Sequence, residues 1–382
     1  MRVAVLAAAL LGIPLGAAAS TPGVTPTSIL IGGTAPISDA GAGGAKAYLD
    51  YVNSQGGVHG RSIVYRYLDD GGDPGRTVTI VRRLVEQDGV FAIFNSPGTS
   101  TNLAVREYLN ARKVPQLFVA SGSSLWGREG RKYQYSVGFR PTYRAEGAVY
   151  GRYVASTKPA ARIAVLYQDD EDGKDMLSGL RRGLGSSVGN IVKAVGYVPI
   201  QPSLETQVAE LKQTKANVLM VFCFDKCAVR VFGSARSLGW RPQVFVHAAG
   251  PINAPVGAIS AGFVKDPSDP FWVKDPGNKL FQSAMKAAGL GSPANLRDSS
   301  FVAGMAVAFT LVDTLDKAGE NLRRGDAVKA TARLNEANNP FLLPGIVVRA
   351  LPRDRFPIEQ VQLRRWNGSR WVRFGGLVTA KG

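Results

Sequence analysis

The regular alternation of short apolar stretches with amphipathic ones constrains the fold of this chain more than any other feature. Apolar stretches occupy residues 28–32, 63–68, 90–95 and 116–120, with helical patterns between them, and a second series of the same kind runs through residues 163–247. Buried strands separated by helices are typical of parallel sheets that are covered on both faces. The sequence therefore predicts an α/β fold with two similar lobes, each built on a doubly wound parallel sheet.

Three further observations complete this outline. Residues 136–143 are expected to cross between the lobes rather than to extend the first sheet, and residues 271–336 are expected to be mainly helical. The longest apolar stretch, residues 301–312, falls short of the ~18 residues that a membrane helix needs, so it indicates a buried helix. A chain of 382 residues also exceeds what one hydrophobic core usually holds, which agrees with two lobes.

The first residues predict export. Arg2 precedes an apolar stretch at residues 3–15, and three alanines that end at Ala19 follow it. A charged region, an apolar core and small residues at the cleavage positions are typical of a secretory signal peptide. The stretch is too short for a membrane anchor, which must cross ~30 Å of hydrocarbon. We therefore expect residues 1–19 to be a signal peptide that is cleaved after Ala19.

The net charge of +17 is a weaker guide than its size suggests. Taken alone, it favours nucleic acid or an anionic membrane as a partner. The basic residues are scattered, however, and the sequence contains no run of five. We therefore interpret the charge as a source of solubility and a bias toward anionic small molecules, and we expect no nucleic acid as a partner.

Signatures of catalysis and of metal binding are scarce. His59 and His247 fall in different predicted lobes, and neither has a partner at a metal-ligand spacing. Nucleophile-elbow, phosphate-loop and zinc-protease motifs are absent, and the glycines at residues 41–44 lack dinucleotide-turn spacing. Cys223 and Cys227 form either a local disulfide or a pair of buried thiols, and both possibilities stay open. We expect a binding protein rather than an enzyme, with no cofactor and no metal site.

Two hydroxyl-rich turns of the first lobe are candidates for a binding site. In open parallel sheets, ligands bind beyond the carboxyl ends of the strands. Gly98 and Thr99 follow the third predicted strand, and Ser121, Gly122 and Ser124 follow the fourth. Hydroxyls and backbone N–H groups in such turns either cap the next helix or bind a carboxylate, and both interpretations stand at this point.

The corresponding turns of the second lobe are acidic and aromatic. Residues 168–173 carry four carboxylates, among which Asp172 is the candidate. These groups are either solvated side chains favoured by a helix N-terminus or groups that face the cleft and bind a cationic part of a ligand. Phe224 and Asp225 follow another strand of this lobe, and His247 follows the last one, so all three are candidate ligand-binding residues.

Five short segments, spread over nearly the whole chain after residue 19, are similar to one known family. They are GVT at residues 23–25, AYLDYVNSQGGVHGR at 47–61, LVEQD at 84–88, VPQLFVA at 114–120 and ARSLGW at 235–240. In this combination they resemble the leucine/isoleucine/valine-binding proteins, the periplasmic receptors of branched-chain-amino-acid-type ABC importers.

The resemblance implies the type I periplasmic-binding fold, in which three crossings form a hinge and the lobes close on a ligand. It implies that lobe 1 comprises residues 20–140 and 256–338 and that lobe 2 comprises residues 141–255 and 339–382. The implied ligand is an amino acid or a related small carboxylate, and the implied partner of this monomeric periplasmic receptor is a membrane ABC permease. A ligand sensor of the same fold and an exported α/β enzyme are the alternatives.

Two departures from the family affect the expected ligand. The loop at residues 36–45 is short and has no aromatic residue. Asp172 precedes Gly173-Lys174-Asp175, at a position where members that bind aliphatic amino acids have an aromatic residue. Both changes remove apolar walls, so we do not expect leucine itself to be the ligand.

Overall fold

The computed structural model of the chain describes residues 21–199, 201, 203–248, 254–351 and 355–379. The side chain of Asp225 and the predicted signal peptide at residues 1–19 lie outside the described part. Two large sheets, one of five strands and one of seven, correspond to the two predicted lobes.

The first part of the chain builds the first sheet. Its parallel strands are β1 (Ser28–Thr34), β2 (Ser62–Leu68), β3 (Ala92–Phe94), β4 (Gln116–Val119) and β5 (Ser136–Gly138). The order across the sheet is β2-β1-β3-β4-β5. The connecting helices are α1 (Ala40–Ser54), α2 (Pro74–Glu86), α3 (Thr99–Ala111) and the short α4 (Leu125–Arg128). The prediction that residues 136–143 only cross between the lobes was wrong for the first three, because they pair with β4.

The second sheet begins after the first crossing. The elements in chain order are α5 (Tyr143–Thr157), β6 (Ile163–Gln168), α6 (Glu171–Leu184), β7 (Ile191–Tyr197), α7 (Glu205–Gln213), β8 (Val218–Phe222), α8 (Asp225–Ser237), β9 (Gln243–Val246) and β10 (Ile259–Gly262). These five strands are parallel in the order β10-β9-β8-β6-β7. Helices α5 and α6 cover one face of this sheet, and α7 and α8 cover the other.

The chain then returns to the first lobe and leaves it once more. The returning elements are α9 (Pro276–Ala287), α10 (Ser299–Ala318), α11 (Arg324–Thr331) and a ribbon of β11 (Asn335–Glu336) and β12 (Val348–Arg349). Strands β13 (Gln360–Trp366) and β14 (Trp371–Thr379) finally extend the second sheet in antiparallel fashion beyond β10. Helix α10 is long and apolar enough to cross a membrane, but most of it is buried in the first-lobe core, as in an ordinary core helix.

The second and third crossings lie later in the chain than the sequence predicts. Ile259–Gly262 pairs with β9 and β13 and so belongs to the second sheet, whereas the sequence places residues 256–338 in lobe 1. Phe341 and Ile358 are buried in the first-lobe core, whereas the sequence places residues 339–382 in lobe 2. Strand pairing and tertiary packing fix these positions, and neither leaves a local signal in the sequence.

Glycines bring one pair of helices in each lobe into backbone contact. A Cβ atom at Gly44 of α1 would lie 2.1 Å from the carbonyl oxygen of Phe301 in α10. In the second lobe, a Cβ atom at Gly147 of α5 would lie 2.1 Å from the carbonyl oxygen of Met176 in α6. Such distances exclude any side chain. Glycine at these positions therefore lets α1 contact α10, and α5 contact α6, backbone to backbone.

Cys223 and Cys227 form a disulfide, which decides between the two possibilities that the sequence leaves open. The bond joins the end of β8 to the first turn of α8, with the Cα atoms 6.0 Å apart. Both residues are buried in the core between the second sheet and its outer helices. The disulfide is therefore a local brace of the second lobe.

Candidate functional site

Side chains from the two lobes meet where the strands of both sheets end. Ser124 donates its backbone N–H to Asp175 Oδ2 at 2.7 Å and its hydroxyl to Asp175 Oδ1 at 2.9 Å. The hydroxyl of Thr99, also from the first lobe, lies beside the carboxylate of Asp172 in the second and opposes the rise of its pKa. All four residues are buried. The lobes are thus closed on one another, with the donors of one lobe matched to the acceptors of the other.

Thr99 does not cap the helix that it begins. Gly98 occupies the N-cap position of α3 with a φ of 89°, and no side chain caps this helix end. Only glycine adopts this backbone region without strain. The Thr99 hydroxyl lies instead 2.6 Å from the Ser121 hydroxyl of the neighbouring turn. The capping interpretation is therefore wrong for Thr99, and the two hydroxyl-rich turns meet as a pair.

The hydrogen bonds around Ser121 show which hydroxyl of the Ser121–Thr99 pair is the donor. Ser121 Oγ accepts two N–H hydrogen bonds, at 3.1 Å and 3.0 Å, from Ser123 and Trp126. A hydroxyl has two acceptor lone pairs and one proton, so that proton points toward Thr99. The proton of Thr99 is then not used by Ser121, and the carboxylate of Asp172 lies beside this hydroxyl. The polar groups thus continue from the first lobe into the second.

Gly122 lies against the first crossing. Its carbonyl oxygen accepts the backbone N–H of Tyr143 at 2.7 Å. A Cβ atom at Gly122 would lie 2.7 Å from the Tyr143 ring. The absence of a side chain at Gly122 therefore lets the first-lobe turn approach α5. In the same turn, the N–H and the hydroxyl of Ser124 both donate to Asp175.

Asp172 is buried, which excludes a freely solvated carboxylate at this position. The residue is 7% exposed, and its Oδ1 atom has no hydrogen-bond partner among the described residues. Burial raises the pKa of Asp172 to about 7, although the neighbouring hydroxyl of Thr99 opposes the shift. A buried carboxylate oxygen without a partner is an acceptor for a ligand N–H or ammonium group.

Asp175 belongs to the same site, although the sequence analysis selected only Asp172 from the carboxylates near this helix start. It lies on α6 three residues after Asp172, and the Arg144 Nε atom lies 3.1 Å from its Oδ1. Residues three apart share one face of a helix. This spacing is the signal from which Asp175 could have been selected together with Asp172.

Phe224 and His247 come together with Tyr143, which the sequence analysis did not select. Edge-to-face contacts join the three rings, with centroids 4.9 Å apart for Phe224 and His247 and 5.2 Å apart for Tyr143 and His247. Such contacts hold aromatic side chains in fixed orientations. Asp225 begins α8 directly after Phe224, and its side chain lies outside the described part.

A buried carboxylate holds His247 in place. Glu146 Oε2 lies 2.9 Å from His247 Nδ1, and Glu146 Oε1 accepts the Ala248 N–H at 2.7 Å and the Tyr150 hydroxyl at 2.8 Å. Both oxygens of Glu146 are therefore engaged, and the ring orientation of His247 is fixed. Among the described residues, no group of three or more His, Cys, Asp or Glu side chains is placed to hold a metal ion.

A cavity opens beside this cluster, between the lobes and against the crossings. Its lining includes residues of the first two crossings, of both lobes and of β13: Arg140, Tyr143, Glu146, His247, Phe263 and Arg364. His247 is the only candidate from the sequence among the described residues of this lining. We call it the hinge-side cavity.

Comparison with known proteins adds two findings from sequence. A family model described as periplasmic binding protein matches residues 24–370. The chain is also 23% identical over 282 residues to the leucine-specific-binding protein of Salmonella typhimurium, an alignment that covers 72% of this chain and 75% of that protein.

Solved structures agree in fold. A substrate-binding periplasmic protein from Ralstonia solanacearum matches with a TM-score of 0.79 at 20% identity, covering 91% of this chain and 100% of that one. A branched chain amino acid ABC transporter from Thermus thermophilus, solved with bound valine, matches with a TM-score of 0.79 at 16% identity, covering 93% and 96%.

Proposed function

This chain belongs to the periplasmic binding protein family, and from that premise we propose that it is the solute receptor of an ABC importer. The resemblance to the leucine/isoleucine/valine-binding proteins is confirmed, and with it the type I periplasmic-binding fold. The proposed receptor captures an amino acid or a related small carboxylate between its lobes by hinge closure. The relatives are named as binding proteins, which agrees with a protein that leaves its ligand unchanged.

The matching of first-lobe donors to second-lobe acceptors at the cleft is the observation that carries this proposal. Thr99 lies beside Asp172, and Ser124 contacts Asp175, across the two lobes, and we expect such contacts to form when the lobes close. A ligand that touches both walls gains contacts only in the closed state, so it increases the closed population. A cleft of this kind is suited to capture and release.

The residues that we propose to meet the ligand come from both walls. Thr99 and Ser121 form the first wall, and Asp172, Phe224 and His247 form the second. Support comes from the hydrogen bond between Thr99 and Ser121, from the position of Thr99 beside Asp172, and from the fixed rings. Gly98, Gly122, Ser124 and Asp225 stay predictions as ligand contacts.

Binding and closure are tested together. The mature protein is screened by thermal shift against amino acids and against carboxylic acids without an amino group, and each hit is followed by small-angle scattering. We expect a higher melting temperature and a smaller radius of gyration with ligand. A scattering profile that does not change at saturation contradicts hinge closure.

Thr99→Val tests the proposed wall. Valine keeps the shape of threonine but removes the hydroxyl that we propose to meet the ligand. We expect the affinity for a hit of the screen to fall about tenfold or more, since a hydrogen bond to a charged group of the ligand contributes ~1.5–3 kcal/mol. Thr101→Val is the matched control, because the Thr101 hydroxyl donates to the carbonyl oxygen of Pro97 within its own turn. A change below about twofold in Thr99→Val would exclude Thr99 as a contact.

Periplasmic location and the permease partner are part of the proposal. N-terminal sequencing of the exported protein should begin at Ser20, since residues 1–19 have the pattern of a signal peptide. A chain that retains Met1 would contradict export. Recovery of a membrane permease with the ligand-bound receptor supports transport, whereas recovery of a signalling partner supports a sensor.

A further inference from the structure

We propose that the acid group of the ligand binds in the hinge-side cavity, where Arg140 and Arg364 select a carboxylate that is carried on an apolar body. The inference rests on the proposed function, because it concerns the ligand of the same receptor. The sequence analysis selected neither Arg140 nor Arg364.

Arg140 is a half-buried cation on the first crossing, at the cavity wall. Among the described residues, it makes no hydrogen bond and no ion pair. The nearby carboxylate of Asp39 caps α1 by accepting the Ala42 N–H, and it attracts Arg140 only through space. A guanidinium carries five N–H donors in a planar fork that matches a carboxylate. Arg140 therefore offers a binding group that the protein itself leaves unused.

Arg364 reaches the cavity from β13 of the second lobe. Its Nη2 atom donates to the Ala248 carbonyl oxygen at 2.6 Å, and its guanidinium lies 4.9 Å from the centroid of the Trp371 ring. The Nε atom is buried and has no partner in the described part of the chain. Burial lowers the pKa of Arg364, which means that its charged form is poorly solvated. An anion in the cavity would offset that cost.

Glu146 does not neutralise these two cations. It is the one carboxylate among the described residues of the lining, and its oxygens already accept hydrogen bonds from His247, Ala248 and Tyr150. Two guanidinium groups thus face the cavity against one carboxylate whose oxygens both accept hydrogen bonds, while Asp39 and Asp266 act on Arg140 and Arg364 from outside the lining. At the cavity wall itself, the balance of charge favours an anionic ligand group.

The hydroxyls of the first-lobe turns are poor alternatives for the acid group when the lobes are closed. Ser124 donates to Asp175, Ser121 bonds to Thr99 and to two N–H groups, and Thr99 bonds to Ser121 beside the carboxylate of Asp172. The hinge-side cavity, in contrast, combines its cations with apolar walls from Tyr143, Phe263 and Val264. This combination fits a small carboxylic acid whose remainder is aliphatic or aromatic.

The test compares acids with their uncharged amides. The probes are 4-methylpentanoate, 3-phenylpropanoate, the two corresponding primary amides, and leucine and phenylalanine, titrated calorimetrically into the mature protein. We expect the wild type to prefer each acid over its amide by about tenfold or more. In Arg140→Gln this preference should fall below about threefold. Arg152→Gln is the matched control, because Arg152 is exposed on α5 and donates to Thr379 outside the cavity.

The outcomes distinguish a failure of this inference from a failure of the proposed receptor function. If Arg140→Gln is folded, as judged by circular dichroism, and keeps the acid preference, the inference is overturned while the receptor function stands. The same holds if Thr99→Val loses that preference instead. If folded wild-type protein binds none of the acids, amides or amino acids, the proposed function fails and the inference fails with it.

Discussion

Among the residues that the structure describes, each lobe buries one glutamate, and the two are held by different chemistry. In the second lobe, Glu146 accepts hydrogen bonds from a histidine ring, a backbone N–H and a tyrosine hydroxyl. In the first lobe, Glu336 accepts hydrogen bonds at Oε1 from the Thr310 hydroxyl and the Asn339 amide, and its Oε2 has no partner among the described residues.

The difference shows that burial alone does not decide what a carboxylate contributes. Burial raises the pKa of Glu336 to about 7, although its two neutral donors oppose the shift. Glu146 satisfies more donors, and it does so where Arg364 and His247 supply positive charge or polar N–H groups. The carboxylate oxygens of Glu146 therefore have a structural role in the second lobe, whereas the ionised form of Glu336 destabilises the first. The same substitution should have opposite effects in the two lobes.

Glu146→Gln should have the largest effect. The amide places an NH₂ group where His247 or the Ala248 N–H now donates, and it removes the negative charge beside Arg364. Loss of one member of a buried charged network typically costs 3–5 kcal/mol, so we expect a decrease of that order in the free energy of unfolding. Urea denaturation at pH 8 measures it. A decrease below about 1 kcal/mol would mean that the network is not coupled to folding.

Glu336→Gln should stabilise the protein at high pH. Because the native pKa of Glu336 lies above its ordinary value of 4.5, the folded state binds this proton more tightly than the unfolded state. The associated stability is complete below pH 4.5 and is lost as the pH rises through about 7, at a cost of about 3 kcal/mol. Glutamine keeps the acceptor for Thr310 and Asn339 and carries no charge.

The gain in Glu336→Gln should therefore be close to 3 kcal/mol at pH 8 and close to zero at pH 4. Urea denaturation of variant and wild type at both pH values measures the difference. Burial also raises the pKa of Asp172. Because this residue is present in both proteins, its contribution to the pH dependence cancels in the difference. A variant whose stability runs parallel to that of the wild type at every pH would contradict the role given to Glu336.

The disulfide gives the smallest expected effect, and it is confined to one lobe. Replacing Cys223 and Cys227 by serine opens a short loop, for which the chain-entropy relation gives a loss of about 2 kcal/mol. Hydrogen exchange followed by mass spectrometry should show faster exchange in peptides from β8 and α8. Peptides from α3 and α10 in the first lobe serve as the internal control, and equal acceleration there would show that the brace is not local.

Much of this architecture could be predicted because its signals are local. Asp73 followed by Pro74 indicates a helix start, and α2 begins there with the Asp73 side chain accepting the Arg76 N–H. Thr99 and Asp172 could be selected because the end of an apolar stretch marks the end of a strand. Their mutual contact could not be predicted, since residues 73 positions apart meet only through closure of the lobes.

The hinge-side cavity had no such signal. Arg140 and Arg364 are two of 46 basic residues, separated by more than half of the chain, and nothing nearby distinguishes them. Ser136–Gly138 is short and borders a crossing, so its pairing with β4 depends on a neighbour rather than on its own pattern. Features that depend on distant segments meeting are those that the sequence alone leaves undetermined.

The return of the chain from one lobe to the other also sets an order of assembly. β13 and β14 complete the second sheet, yet they follow about 95 residues that belong to the first lobe, counted from Phe263 to the start of β13 at Gln360. The chain emerges from a ribosome or a membrane channel with its N-terminus first. The edge of β10 therefore stays unpaired until β13 and β14 follow. Completion of the second lobe is thus necessarily a late event. A truncation before residue 360 would leave an unpaired strand edge that is prone to aggregation, rather than a smaller functional receptor.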